Sequence, residues 1–262
     1  MLFVDTHTHL YDEAFDNDRD SVFQRIIQNG VTKMVFPAID SSYFERQHEC
    51  ASKYKDNVFM AMGLHPTSVG KAWKNELEFA TEHLEKSFLP SQGVRYVAVG
   101  EIGLDGYWSK DFIEEQKEVF SAQLDLAIRY DIPVIIHERS AMDEMFDVLE
   151  SKSRGLRGVF HAFGGSVETF RRIQKYGDFK VGIGGVVTFK NAGVAKTLEY
   201  IPLEKIILET DSPWLTPAPY RGKRNESSYI PIIAQKVAEI KKVDIETVAS
   251  VTTANAEKLF RI

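Results

Sequence analysis

Two histidines separated by one residue lie near the start of the chain, in the segment Asp5-Thr6-His7-Thr8-His9 that follows the apolar residues Phe3 and Val4. Alternate side chains of a strand point the same way, so we expect His7 and His9 to share one face. Two neighbouring imidazoles at a strand end supply half of a site for a divalent metal ion. Taken alone, the pair is also compatible with two unrelated surface histidines.

Further histidines and carboxylates follow the other short apolar segments of the chain. They are His65, Glu101, His137, His161, Glu209 and Asp211. Five of the seven histidines therefore lie at the ends of predicted strands, a distribution that is not expected of scattered core histidines. The carboxyl ends of parallel strands surround one edge or mouth, where α/β enzymes place their active sites. The pattern predicts one shared metal site.

The number of candidate ligands indicates more than one ion. Four or five imidazoles with two or three carboxylates exceed what one tetrahedral ion needs. The set suits two ions bridged by a carboxylate, and we expect Glu101 to be the bridge because its strand lies between the two groups of histidines. Mixed nitrogen and oxygen ligands favour Zn²⁺, Mn²⁺, Fe²⁺ or Co²⁺, and a partly hydrated Mg²⁺ is also compatible.

Eight short apolar segments that would position these side chains alternate with longer helical patterns. Strands are predicted over residues 2–4, 33–38, 58–63, 96–100, 133–136, 158–160, 179–183 and 206–208. Several are apolar throughout, which is typical of strands buried on both faces of a parallel sheet. Helices are predicted over residues 19–29, from 41 or 42 to 55, and over 76–87, 112–130, 142–153, 166–176, 194–200, 231–241 and 245–259.

This alternation predicts an α/β fold in which residues 1–262 form a single (β/α)8 TIM barrel domain with C-terminal helices. An open, doubly wound sheet is the alternative. The longest irregular stretch, residues 212–228, is rich in proline, glycine and arginine and follows the eighth strand. Long loops in compact domains are usually functional, so we expect this one to contribute to the site.

Composition limits the class of protein. The formal net charge is −6, which disfavours nucleic-acid binding through overall basicity but leaves local positive potential open. The single cysteine, Cys50, excludes a disulfide within the chain. We find neither a run of eighteen apolar residues nor a secretory signal pattern, and so predict a cytoplasmic protein without a membrane partner. A monomer is expected, with oligomers left open.

Eight motifs, in order along nearly the whole chain, resemble the TatD family of metal-dependent hydrolases within the amidohydrolase-like superfamily. They lie at residues 5–9, 63–66, 99–105, 116–124, 133–137, 161–163, 209–213 and 221–226. The resemblance implies a deoxyribonuclease that hydrolyses phosphodiester bonds, often from the 3′ end, so single-stranded DNA or a DNA 3′ end would be the substrate. Agreement over so many motifs is not credible as chance.

The resemblance also implies roles for particular residues. One ion would bind His7, His9, Glu101 and Asp211, and the second would bind Glu101, His137 and His161. His65 would lie near the substrate phosphate. Ala162 and Gly164 occupy positions where the family usually has cysteine and serine, and Ser227 occupies one where many members have proline. These departures affect the expected substrate preference rather than the metal ligands.

The resulting hypothesis is hydrolysis by water that two divalent ions (Mg²⁺, Mn²⁺, Zn²⁺ or Co²⁺) activate. Asp211 would hold that water and accept its proton, while the metals and His65 would stabilise negative charge on the phosphoryl oxygens. Guanidinium groups fit phosphates well, so Arg139, Arg221 and Arg224 would contact flanking phosphates, with surface ion pairing as the alternative for each.

Two other functions fit parts of the pattern. A hydrolase of a cyclic amide, lactone or ester would use the same barrel and metal pair, but such enzymes often bridge their metals with a modified lysine, where this chain has Glu101. A metal-dependent scaffold without turnover is the non-enzymatic alternative. The complete set of candidate ligands argues against it.

Overall fold

Eight parallel strands, each paired with the next in chain order, form the centre of the computed structural model, which describes residues 1–90, 95–152 and 155–262. The strands are β1 (Phe3–Asp5), β2 (Val31–Phe36), β3 (Val58–Met62), β4 (Ala98–Asp105), β5 (Val134–Arg139), β6 (Arg157–Phe160), β7 (Asp178–Ile183) and β8 (Ile206–Leu208). The Thr6 backbone N–H donates to the Leu208 carbonyl at 3.0 Å and joins the last strand to the first. The predicted (β/α)8 barrel is confirmed.

Helices follow the strands in regular alternation. They are α1 (Arg19–Gln28), α2 (Phe44–Lys53), α3 (Trp73–Ser87), α4 (Ile113–Tyr130), α5 (Met142–Ser151), α6 (Val167–Ile173), α7 (Gly193–Leu198), α8 (Ile230–Lys241) and α9 (Ile245–Phe260). Each of the first seven strands precedes one helix, and β8 precedes two, as the predicted C-terminal helices require. No helix among the described residues is both long and apolar enough to cross a bilayer.

The inside of the barrel is an apolar layer that is closed at one end. Val4, Val35, Ala61, Ala98, Ile135, Val159 and Ile207 come from seven different strands and form one cluster with Ala256, Leu259 and Phe260 of α9. Leu259 and Phe260 are almost fully buried and pack against this layer. Helix α9 therefore covers the amino-terminal end of the barrel, and the carboxyl-terminal mouth is the end available to a substrate.

The period of two along a strand then places polar residues above this layer. His137, His161 and Glu209 each follow an interior residue by two positions: Ile135, Val159 and Ile207, respectively. Their side chains consequently face the barrel axis.

The predicted carboxyl-terminal ends of the fourth and fifth strands are wrong, and both strands carry residues of the site. β4 continues past residue 100 to Asp105, and β5 continues past residue 136 to Arg139. The cause is continued pairing between them, Gly103 with His137 and Asp105 with Arg139, beyond a register irregularity between Val99 and Ile102. Glu101 lies within that irregularity, as is common for bulges beside active sites. The predicted end of the fifth helix at residue 153 lies outside the described residues.

Candidate metal centre

All six predicted metal ligands converge at the carboxyl-terminal mouth of the barrel. They are His7, His9, Glu101, His137, His161 and Asp211. Glu101 lies at the centre and is only 3% exposed. One of its oxygens, Oε2, is 3.1 Å from His7 Nε2, while Oε1 is 2.8 Å from His161 Nε2 and 3.0 Å from His137 Nδ1. Its two oxygens thus face two different groups of imidazoles.

Charge at this centre is set by close contact. Burial alone would raise the pKa of Glu101, but His161, His7 and His65 hold it well below the usual range of a glutamate. The carboxylate in turn raises the pKa of His161 well above that of a free histidine, against the lowering effect of burial. The surrounding imidazoles thus stabilise the ionised form of the Glu101 carboxylate. An ionised carboxylate is also the form that binds a divalent cation.

The first group consists of His7, His9 and Asp211. The two Nε2 atoms are 3.2 Å apart, and each lies 3.6 Å from Asp211 Oδ1. Burial would raise the pKa of Asp211, but its contact with His9 and the charge of His7 lower it, so the group is a carboxylate at neutral pH. Its backbone has a φ of +56°, a left-handed conformation that aspartate and asparagine tolerate better than most residues.

Hydrogen bonds fix the tautomer of His9. The Tyr11 hydroxyl donates its proton to the Pro37 carbonyl at 2.5 Å, so at its 2.7 Å contact with His9 Nδ1 it must accept. The proton of His9 is therefore on Nδ1, and the Nε2 lone pair faces His7 and Asp211. A tyrosine two residues after a candidate ligand carries no recognisable signal in the sequence, and Tyr11 was not among the predicted site residues.

His137 is oriented in the same manner by a carboxylate. Its Nε2 donates to Asp105 Oδ2 at 2.9 Å, and its Nδ1 donates to Glu101 Oε1 at 3.0 Å and lies 3.3 Å from His161 Nε2. Release of the Nδ1 proton would leave a lone pair there for a metal ion, while Asp105 still holds the Nε2 proton. Burial would lower the pKa of His137, but the bond to Asp105 raises it. Carboxylates that accept from a ligand imidazole raise its basicity and hold its ring. Asp105 lies in the same sequence motif as Glu101 but was not among the predicted site residues.

Three buried polar atoms beneath the site have no hydrogen-bond partner among the described residues: His7 Nδ1, His161 Nδ1 and Glu209 Oε2. The rings of His7 and His161 stack with centroids 4.0 Å apart, and His161 Nδ1 is 3.7 Å from Glu209 Oε1. Room for this carboxylate depends on Gly182, where an added Cβ would lie 2.0 Å from Glu209 Oε2. Glu209 is a buried hydrogen-bond acceptor beside His161 Nδ1. Together with His7 and His161 it forms one of the residue groups able to hold a metal ion.

These observations test whether the residues fit metal ions. Among the described residues, the groups able to hold an ion are His7 with His9 and Asp211, His7 with His161 and Glu209, and His65 with Glu101 and His137. Imidazole lone pairs and carboxylates meet within coordination reach, and acceptors support the rings from behind, as at metal sites generally. The donor set fits divalent cations with mixed nitrogen and oxygen preference.

His65 has the opposite tautomer from His9. Its Nδ1 accepts from the Thr67 backbone N–H at 3.1 Å and contacts Thr67 Oγ1 at 2.6 Å. The proton therefore lies on Nε2, which is 3.3 Å from Glu101 Oε1. In this tautomer His65 presents a hydrogen-bond donor to the centre, so within the third group Glu101 and His137 are the residues left to act as ligands.

The three predicted phosphate-binding arginines differ in availability. The Arg139 guanidinium lies over the Tyr107 ring, 3.6 Å from its centroid, and the Arg221 guanidinium lies 4.2 Å from the centroid of the Phe189 ring. Within the described part of the chain, neither arginine forms an ion pair. Arg224 instead donates to both carboxylate oxygens of Asp18, at 2.8 and 2.7 Å. A phosphate at Arg224 would have to compete with that pair.

The positions that depart from the family pattern lie at the edge of the site. Ala162 and Gly164 are exposed beside the mouth, and the Ala162 backbone N–H donates to Glu209. Ser227 is buried, and its hydroxyl donates to Thr8 at 3.2 Å, between the two histidines of the first motif. None of the three replaces a candidate ligand.

Comparison with known proteins agrees with this geometry. The family model described as "TatD related DNase" matches residues 4–261. The chain is 39% identical to the uncharacterized metal-dependent hydrolase YabD of Bacillus subtilis, with 100% of both chains covered, and 31% identical to YjjV of Escherichia coli, with 99% and 98% covered.

The crystal structure of YjjV, a TatD homologue from Escherichia coli, superposes with a TM-score of 0.88 at 30% identity and covers 99% of this chain and 98% of that one. The predicted resemblance is thereby confirmed along the whole chain. The chain belongs to the TatD family of metal-dependent hydrolases.

Proposed function

We propose that this hydrolase cleaves phosphodiester bonds of DNA, at a single strand or a 3′ end, with two divalent ions at the mouth of the barrel. One observation carries the proposal: three histidines around Glu101 present different groups to one centre. His9 presents a lone pair, His137 would present one when a metal ion displaces its Nδ1 proton, and His65 presents N–H. This combination suits metal ions beside a negatively charged oxygen. The name of the family model supports DNA as the substrate class.

In this proposal His7, His9, Glu101 and Asp211 hold one ion, and Glu101, His137 and His161 hold the other. Bound divalent ions, whether Mg²⁺, Mn²⁺, Zn²⁺ or Co²⁺, would lower the pKa of water and polarise the phosphoryl group. Glu101 suits the shared position because its two oxygens already face the two groups separately.

Asp211 acts as the base that accepts the proton of the attacking water. Its carboxylate is ionised at neutral pH and partly accessible, with 16% of its side chain exposed. His65 donates its Nε2 proton in a hydrogen bond to a non-bridging phosphoryl oxygen. Burial lowers the pKa of His65, so at neutral pH it is a neutral donor whose tautomer Thr67 maintains.

Arg139 and Arg221 are the arginines best placed to contact flanking phosphates. Both are exposed and stacked on aromatic rings, which leaves their N–H groups free for bidentate bonds. Arg224 contributes less, because Asp18 already occupies its donors.

The direct test is cleavage of labelled single-stranded and duplex oligonucleotides with each of the four metals, beside a panel of lactones, cyclic amides and esters. The proposal expects metal-dependent release of nucleotides and no turnover of the panel. Hydrolysis of a panel member without cleavage of DNA would instead support a small-molecule hydrolase. Stoichiometric metal without turnover of any substrate would support the scaffold.

Asp211→Asn tests the base specifically. Asparagine tolerates the left-handed backbone at this position, so the fold should be unaffected. Loss of a general base typically lowers kcat by about 10²- to 10⁴-fold, and much of the metal should still bind. Asp12→Asn is a matched control, because Asp12 is also largely buried near the mouth but only caps a short turn at Ala14. Near-normal kcat in Asp211→Asn would eliminate the assigned role.

A further inference from the structure

A hollow of about 490 Å³ opens beside the candidate metal centre, between the segments that follow β3 and β4. Asp105 lines it and also accepts the hydrogen bond from His137, so the hollow and the centre share a wall. Its volume lies within the range of roughly 300–1,000 Å³ that is usual for small-molecule sites. The proposed roles of the metal ligands and arginines make no use of it.

Trp108 forms one side of this hollow and is 73% exposed. Its ring meets the neighbouring Tyr107 ring at a centroid distance of 5.0 Å, and the Arg139 guanidinium lies over both rings. Tyr107 is itself 55% exposed, so the two rings form a contiguous apolar patch, and such patches mark interaction sites more often than single exposed side chains do. Tyr107 and Arg139 support the indole while most of its surface stays open to a ligand.

The position of Trp108 relative to the centre is fixed by Asp105. One oxygen of this carboxylate accepts from the backbone N–H groups of Tyr107 and Trp108, at 2.9 and 3.4 Å, while the other accepts from His137. Three residues of chain span at most about 11 Å, so Trp108 lies within that reach of Asp105. A group stacked on the indole would therefore belong to the same molecule as a phosphate at the centre.

Charge in the hollow indicates which part of a substrate enters it. The described residues that line it include Asp105 and Asp111 but no lysine or arginine. Two aspartates would repel a phosphate, whereas an uncharged flat ring gains from contact with Trp108 and Phe112, and the exposed Asp111 can accept from its N–H groups. The lining thus favours a nucleobase over any charged part of a nucleotide.

We infer that Trp108 and this hollow form a base subsite, in which the nucleobase next to the scissile phosphodiester stacks on the indole. The inference rests on the proposed cleavage of nucleic acid. Stacking on an aromatic side chain is tolerant of base identity because every base has a π face. The subsite should therefore distinguish a nucleotide with a base from one without, and should discriminate little among the four bases.

The experiment compares two tetranucleotides, tetrathymidylate and the same backbone with abasic residues at all four positions. Binding is measured by fluorescence anisotropy with Mn²⁺ on protein carrying Asp211→Asn, and kcat/KM is measured on the unmodified chain. Trp108→Leu should weaken binding of tetrathymidylate about 5- to 150-fold, the range for loss of one stacked base, and leave the abasic tetramer unchanged. Trp108→Phe should retain most of the binding, because a flat ring remains.

Tyr200→Ala is the matched control, since Tyr200 is 69% exposed but precedes β8 at the opposite end of the barrel. If the unmodified chain cleaves tetrathymidylate but Trp108→Leu binds it as tightly as the parent, the subsite is refuted and the proposed function stands. If protein with native Trp108 binds tetrathymidylate and the abasic tetramer with equal affinity, the subsite is also refuted. If the unmodified chain neither binds nor cleaves either tetramer with any metal, the proposed function and the subsite fall together.

Discussion

Asp105→Asn is the most informative single substitution outside the predicted ligands. The two side chains have the same shape, and only the hydrogen-bond pattern changes. In the native chain Oδ1 accepts from the backbone N–H of Tyr107 and Trp108, and Oδ2 accepts from His137 Nε2 at 2.9 Å. An amide has one acceptor atom, so asparagine can satisfy only one of these two sides.

Each orientation of the amide has a measurable cost. If the oxygen stays with the loop, the NH₂ group faces His137 Nε2–H, and the imidazole relieves this clash of donors by moving its proton to Nδ1, the atom needed for metal. Loss of such a supporting carboxylate typically costs about 10- to 100-fold in metal affinity, or roughly 1.4–2.7 kcal/mol. If the oxygen turns to His137, two partly buried backbone donors lose their acceptor at about 1 kcal/mol of unfolding free energy, the low end of the cost for buried groups.

Calorimetric titration with Mn²⁺ and urea unfolding of the metal-free protein together measure both outcomes. We expect one of the two quantities to fall by the stated amount. Asp111→Asn is the control, because Asp111 lies in the same loop without contact to His137 and should change neither. A second readout is the ¹⁵N spectrum of the histidine rings, which distinguishes the two orientations: the His137 tautomer changes if the amide oxygen stays with the loop and is retained if the oxygen turns to His137. Unchanged affinity, stability and tautomer in Asp105→Asn would refute the assigned hydrogen bonds.

The remaining predictions concern the support of the site and the stability of the fold. Glu209→Gln should weaken metal binding about 10- to 100-fold by titration, with little change in the circular dichroism spectrum. Gly182→Ala should lower the unfolding free energy by roughly 1–3 kcal/mol in urea, because its Cβ would overlap the Glu209 carboxylate. Mn²⁺ at one hundred times its dissociation constant should raise the unfolding free energy by about 2.7 kcal/mol per site and increase the Tm, and chelation should reverse this. Burial raises the pKa of Glu226, but Arg25 donates to both its oxygens and the net shift is downward. This stabilisation is present above the pKa of glutamate in the unfolded chain and is lost as the pH falls through the lower folded value. Glu226→Gln should therefore destabilise at pH 7 and have a progressively smaller effect as the pH falls below 4.5.

The barrel could be predicted from the chain because its signals are local. Apolar, β-branched strands alternate with amphipathic helices, and the period of two places His137 and His161 on the inward face two residues beyond Ile135 and Val159. The same locality explains why the candidate ligands could be named. Each lies in an apolar strand or within four residues of its end, and the strand ends of a parallel sheet must converge.

Other features depend on contacts between distant parts of the chain. The register irregularity between Val99 and Ile102, which places Glu101 inside a strand, arises from pairing with β5 and leaves no local pattern. The pairing of Arg224 with Asp18 joins residues 206 positions apart, and an arginine beside a loop motif looks the same whether it binds phosphate or carboxylate. The tautomers of His9 and His65 depend on Tyr11 and Thr67, whose hydroxyl groups have many other possible partners.

The central claim is that the imidazoles and carboxylates at the mouth of the barrel hold two metal ions around Glu101. Anomalous diffraction from crystals soaked in Mn²⁺ measures this most directly. We expect two peaks within about 4 Å of each other on either side of the Glu101 carboxylate, one in contact with His7, His9 and Asp211 and the other with His137 and His161. No ordered ion at Glu101, or ions bound only elsewhere on the surface, would contradict the account.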